Sequence, residues 1–113
     1  MQALLREASL FLHRTTQGRV FFKDVTIAVP STWPWREEAL TTGSSLFNGA
    51  DLRVGEPNSE YGDTPYTLQP RGCGEVGEYI HITPGLLSGL NGITSRTYGS
   101  PAFQSVHEWA HYR

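Results

Sequence analysis

At 113 residues, with 38% apolar and 18% charged residues, 12 Gly and 7 Pro, the chain suits one loop-rich globular domain, or part of one, and not a disordered segment. Its 9 Lys and Arg and 11 Asp and Glu give a formal net charge of -2, with the signs interspersed, so no basic surface is on offer to neutralise the phosphates of a nucleic acid. The longest apolar stretches, Ala8 to Leu12 and Val25 to Pro30, fall far short of the ~20 residues that cross a bilayer, and the single cysteine, Cys73, has no internal disulfide partner.

From Gln2 to Thr16 the apolar residues Leu4, Leu5, Ala8 and Leu12, with Phe11 on the flank, recur at helical spacing, and Gly18 follows where a C-cap residue sits. This predicts a helix with one buried face. Arg6, Glu7, His13 and Arg14 interrupt any continuous apolar run, so the segment does not read as a signal peptide, and the signal of an exported parent would lie outside this chain. Arg19 to Val29 is rich in β-branched and aromatic residues and stops at Pro30, which predicts a strand. Pro30 to Asn58 contains Trp33-Pro34-Trp35, the charged run Arg36-Glu37-Glu38, which reads as surface, and many Gly, Ser, Thr and Asn. Most of it is expected to be loop, with a short strand from Ala50 to Val54.

Glycines and prolines punctuate Asn58 to Gly77, leaving Tyr66-Thr67-Leu68-Gln69 as a candidate edge strand. Glu78 to Thr83 alternates, Ile80 and Ile82 facing one way and Tyr79, His81 and Thr83 the other, which predicts a half-buried strand ended by Pro84. Leu86 to Leu90 is a turn of helix or a loop, Asn91-Gly92 a turn, and Ser100-Pro101 opens the last helix, with Pro at a position that needs no N–H partner. Helices alternating with short strands indicate an α/β class with a mixed sheet, an N-terminal helix and a C-terminal helix.

That last helix carries the chemistry, in His107-Glu108-Trp109-Ala110-His111. Residues four apart stand one turn apart on one face, so both imidazoles can reach one ion, and zinc is the metal this geometry favours. Glu108, next to the first histidine, is placed to take a proton from metal-bound water without binding the metal itself. The chemistry this predicts is hydrolysis of an amide bond. Phe103, Val106 and Ala110, with Trp109 at the edge, are expected to form the apolar stripe that anchors the helix. The competing explanation is an amphipathic helix that carries two histidines and a glutamate by accident.

Gln2 to Phe22, Tyr61-Gly62-Asp63-Thr64-Pro65-Tyr66-Thr67-Leu68-Gln69, Cys73-Gly74-Glu75-Val76-Gly77-Glu78-Tyr79-Ile80-His81-Ile82-Thr83-Pro84 and Val106-His107-Glu108-Trp109-Ala110-His111 resemble the N-terminal domain of the calcium-activated chloride channel regulators. The resemblance implies that residues 1 to 113 are part of an N-terminal zincin-like metallopeptidase domain. The parent protein would be extracellular or at the cell surface, would cleave its own chain and would raise the conductance of a separate calcium-activated chloride channel. Carried over by residue, His107 and His111 correspond to zinc ligands and Glu108 to the general base. The third ligand in the family is an acidic residue a few positions beyond His111, while this sequence ends at Arg113. The expectation is therefore a fragment truncated at both ends that binds zinc weakly and is inactive alone. For Cys73 the resemblance implies a disulfide partner elsewhere in the protein.

Three further candidates weigh less. His81 lies on a predicted strand, where a structural histidine is commoner than a distant third ligand. Cys73 has no second cysteine or histidine at ligand spacing, and Asn58, Glu60 and Asp63 lack the regular spacing of a calcium loop. Two rival functions remain beside the peptidase: a non-catalytic module that regulates the channel by binding and keeps the helix only as structure, and a fragment that does not fold alone.

Overall fold

The computed structural model of the chain describes residues 1–32, 34, 40–42, 47–89 and 96–113. Trp33 and Trp35, the Arg36-Glu37-Glu38 run and the Asn91-Gly92 turn lie outside the described residues. Helix α1, Gln2–Thr15, buries Leu4, Ala8 and Leu12, the residues spaced four apart. It ends as the Thr16 hydroxyl donates back to the Leu12 carbonyl at 2.8 Å. The chain then reverses through Gly18 at φ +80, a left-handed backbone that glycine adopts without a Cβ penalty.

The strand expected from Arg19 to Val29 is a strand only at its end. Strand β1 is Ala28–Pro30, paired in parallel with β2, Leu40–Thr42, which lies in the tract read as loop. Two of the earlier residues give their N–H groups to α1 and its C-cap instead: Val20 to Thr16 Oγ1 and Phe22 to Ser9 Oγ, both at 3.0 Å. Donors satisfied by helix side chains are not free to join a ladder. Phe22 turns inward against the Trp109 ring at 5.7 Å.

Strands β3 (Leu52–Val54), β4 (Tyr66–Leu68) and β5 (Tyr79–Ile82) form a mixed sheet in the order β3-β5-β4. The central β5 runs parallel to β3 and antiparallel to β4, so β4 is an edge strand, as its sequence suggested. Ile80 and Ile82 are buried while Tyr79 and His81 are only half-buried, as the alternation predicts, but Thr83, expected on the outer face with them, is fully buried because its side chain turns in to cap the helix that follows. Helix α2, Pro84–Ser88, follows at once because Thr83 caps it, accepting from the Leu86 N–H at 3.2 Å, and it drives Leu86 fully into the core. Helix α3, Pro101–Tyr112, starts at Ser100, whose hydroxyl accepts from the Phe103 N–H at 3.3 Å.

The side chains of Leu4, Ala8 and Leu12 from α1, Ile80 and Ile82 from β5, Leu86 from α2 and Ala102, Val106 and Tyr112 from α3 make one buried cluster. The architecture is thus a mixed α/β unit in which α3 is clamped between α1 and the sheet. Among the described residues no helix is long and apolar enough to cross a membrane.

Candidate functional site

At ~100° per residue, Ala102, Ser105, Val106, Trp109 and Tyr112 share an arc of about 120° on α3. All are buried or half-buried. This corrects the anchoring stripe expected from Phe103, Val106 and Ala110: Phe103 is 42% exposed and Ala110 is exposed too. The choice between these stripes turns on small residues. Ala102 is small enough to enter the cluster it shares with α1, and Ser105 is buried with its hydroxyl donating to the Pro101 carbonyl at 2.8 Å; apolar character alone registers neither. The correction moves the core to the side of the helix opposite His107 and His111, and both histidines are exposed.

The two imidazoles meet edge to face, ring centroids 4.7 Å apart, with Nε2 to Nε2 at 3.1 Å. At that distance the two rings share a hydrogen bond when one carries its proton on Nε2 and the other on Nδ1. Two nitrogens bound to one tetrahedral ion at about 2.05 Å lie about 3.3 Å apart. The observed separation is close to that spacing, so His107 and His111 could hold a single zinc ion, which would take up both lone pairs in place of the shared proton. Phe103, one turn earlier, stacks on His107 with centroids 6.5 Å apart and receives the edge contact of Phe11 from α1 at 5.5 Å. The first imidazole is thus buttressed by rings while it faces solvent.

Glu108 is half-buried between this face and the sheet. Its Oε2 accepts from Thr67 Oγ1 at 2.8 Å, and the same hydroxyl lies 2.8 Å from the Glu108 backbone carbonyl. Between β4 and α3 opens a cleft of about 310 Å³, with Tyr61, Tyr66, Leu68 and Gln69 on the strand side and Glu108 and His111 on the helix side. Tyr66 forms the cleft's aromatic wall, tilted against Tyr61 at 4.9 Å. Burial, and then the hydrogen bond with Tyr79, hold its phenol above the usual tyrosine range, so it stays neutral and can donate.

The C-terminal turn of α3 is tied to the sheet twice. The Tyr112 carbonyl accepts from the Gly77 N–H at 2.8 Å, and the Tyr112 hydroxyl donates to Asp51 Oδ1 beside β3. That carboxylate acceptor, aided by burial, raises the Tyr112 phenol above its ordinary pKa. These ties set where His111 stands.

His81 does not join the pair. It stacks on Tyr66 at 4.9 Å, its Nε2 lies 3.1 Å from the Glu56 carbonyl, and among the described residues no three His, Cys, Asp or Glu gather as a metal cluster. Cys73 is a free, exposed thiol. Asn58 Oδ1 accepts from the N–H groups of Glu60 and Tyr61 at 2.7 and 3.3 Å, closing the turn expected there. The residues that sequence reasoning missed are Thr67 and the Tyr112–Asp51 pair. Period-2 reading of Tyr66-Thr67-Leu68 puts Thr67 alone on the inward face of an edge strand, and a lone inward hydroxyl needing a partner was the available signal.

The whole chain, residues 1–113, matches the family model described as calcium-activated chloride channel N terminal. Over all 113 residues it is 43% identical to calcium-activated chloride channel regulator 2 of Mus musculus. Identity is 41% both to regulator 3A-1 of Mus musculus and to regulator 2 of Homo sapiens, again over 113 residues. The chain spans 12% of the length of each of these relatives. No solved structure matches it.

Proposed function

The chain belongs to the calcium-activated chloride channel regulator family, and from that membership we propose that it supplies the zinc-binding helix of a self-cleaving, zincin-like metallopeptidase domain. The protein that carries this domain acts outside the cell or at its surface, takes its own chain as substrate and modulates a calcium-activated chloride channel. The observation that carries the peptidase reading is the 3.1 Å approach of His107 Nε2 and His111 Nε2 on the solvent face of α3, with Glu108 beside them at the mouth of a cleft. In this reading His107 and His111 hold the metal and Glu108 is the general base. Bound zinc supplies Lewis acidity and a water of lowered pKa. Glu108, itself half-buried, then accepts the proton of the attacking water, and the cleft beside β4 receives the peptide.

The decisive variant is Glu108→Gln in the full-length protein, which keeps size and most hydrogen bonding while removing the base. Loss of a general base costs ~10² to 10⁴-fold in rate, so the uncleaved precursor should accumulate on a gel while zinc content is retained. Normal processing of this variant in cells lacking other active metallopeptidases would refute the catalytic role. A binding module that keeps α3 only as structure is favoured by one observation: the buried arc of α3 and its two ties at Tyr112 hold the helix without any contribution from the histidines. Precursor that stays uncleaved yet raises chloride conductance as well as the wild type would support that module and make proteolysis incidental.

A further inference from the structure

We propose that Thr67 is a positioning residue that aims the carboxylate of Glu108, an inference that rests on the peptidase reading above. Thr67 is the middle residue of β4, between Tyr66 and Leu68, so its side chain leaves the strand on the face opposite theirs, toward α3. There its hydroxyl meets both ends of one residue: Glu108 Oε2 and the Glu108 carbonyl, each at 2.8 Å. A hydroxyl has a single proton to donate, so the two acceptors compete for it and neither can move away without losing it to the other. The effect is to peg the carboxylate to its own backbone across a gap between two elements 41 residues apart.

A glutamate side chain has three rotatable bonds, and a base that wanders among rotamers is in place for only a fraction of the time. Binding Oε2 removes that freedom. Among the described residues Oε1 keeps no hydrogen-bond partner, so it is the oxygen left to accept a proton on the cleft side. Thr67 itself neither reaches the imidazoles nor takes a proton; it acts through Glu108. Gly77, just before β5, lies beside the other branch of Thr67: a Cβ built there would stand 3.0 Å from Thr67 Cγ2, so a larger residue at 77 would press on this side chain.

The test uses the full-length protein with zinc bound, and reads self-cleavage, zinc content and melting temperature together. Thr67→Val and Thr67→Ala should slow cleavage by about 10- to 100-fold, the usual cost of losing a partner that orients a metal-site residue, with zinc content unchanged. Thr67→Ser should restore the rate, because it returns the hydroxyl without the methyl. In chelator-treated protein, Thr67→Ala should lower the melting temperature less in a Glu108→Ala background than in the wild type, a coupling that a merely structural threonine would not show. If Glu108→Gln stops cleavage while Thr67→Ala cleaves at the wild-type rate, Thr67 has no such role and the peptidase stands. If Thr67→Ser fails to restore the rate, or the melting effects are additive, the hydroxyl is not the agent and the inference falls. Wild-type cleavage by Glu108→Gln removes the peptidase reading and this one with it.

Discussion

On one arc of α3 the side chains of Ala102, Val106 and Tyr112 are 5 to 9% exposed and meet α1, β5 and α2, whereas on the opposite arc His107 and His111 face solvent with each other as polar partners. The first arc is held by exclusion of water, which is non-directional and tolerant of detail. The second is held by geometry alone, through helical spacing, the ring of Phe103 and the tie at Tyr112. A helix organised this way can change its solvent face without losing its fold, and it holds the two imidazoles together on that face. Substitutions on the two arcs should therefore separate stability from metal binding.

The largest effect belongs to the buried arc. Val106→Asp puts an unpaired carboxylate among Leu4, Ala8 and Leu12 and should cost roughly 4 kcal/mol or more, enough to unfold a domain of this size. Urea unfolding followed by tryptophan fluorescence would report it, and a variant that unfolds at the wild-type midpoint would mean that this arc is not the one that anchors the helix.

How much of this arrangement was legible beforehand differs by residue. That His107 and His111 stand side by side on one face of a helix was readable because a four-residue spacing on a helix has one geometric meaning. The short strands around Arg53, Thr67 and His81 were readable because alternation and glycine punctuation agreed there. The Arg19 to Val29 strand was misread because composition cannot reveal that Ser9 of α1 and Thr16, its C-cap, take the N–H groups of Phe22 and Val20. The anchoring stripe was misplaced for a related reason: the small Ala102 is buried in the cluster it shares with α1, while the apolar Phe103 stacks on His107. In both cases a tertiary partner distant in sequence decided the outcome.

A smaller effect is expected at the point where the two arcs join. Tyr112→Phe keeps the ring in the core and removes the hydroxyl that donates to Asp51, so it should cost about 1 kcal/mol by urea unfolding, the carboxylate being exposed enough to find water instead. The same pair gives a pH signature. The folded-state pKa of Tyr112 is raised above its ordinary value of about 10, so above that pH the unfolded chain sheds a proton that the folded chain retains. The stability from this group is complete below about pH 10 and falls as pH rises through the folded value. Tyr112→Phe should flatten that alkaline decline, and an equally steep decline in the variant would assign it to other groups.

The smallest effect on stability, and the sharpest test of the comparison, is His107→Ala. The side chain is exposed and contributes to none of the buried cluster, so the urea midpoint without metal should not move. With zinc the two proteins should part. A ligand that binds only the folded state stabilises it by about 2.7 kcal/mol at a hundred times its Kd, and the wild-type midpoint should climb with zinc along that curve. Removing one of two ligating nitrogens should cost well over the ~10- to 100-fold that loss of an outer partner costs, leaving the variant's midpoint flat over the same titration. A midpoint that drops without zinc would mean that the histidine face carries part of the fold. A midpoint that still climbs with zinc would mean that the ion is held by other residues, and the geometry of the 3.1 Å pair would lose its meaning as a metal bite.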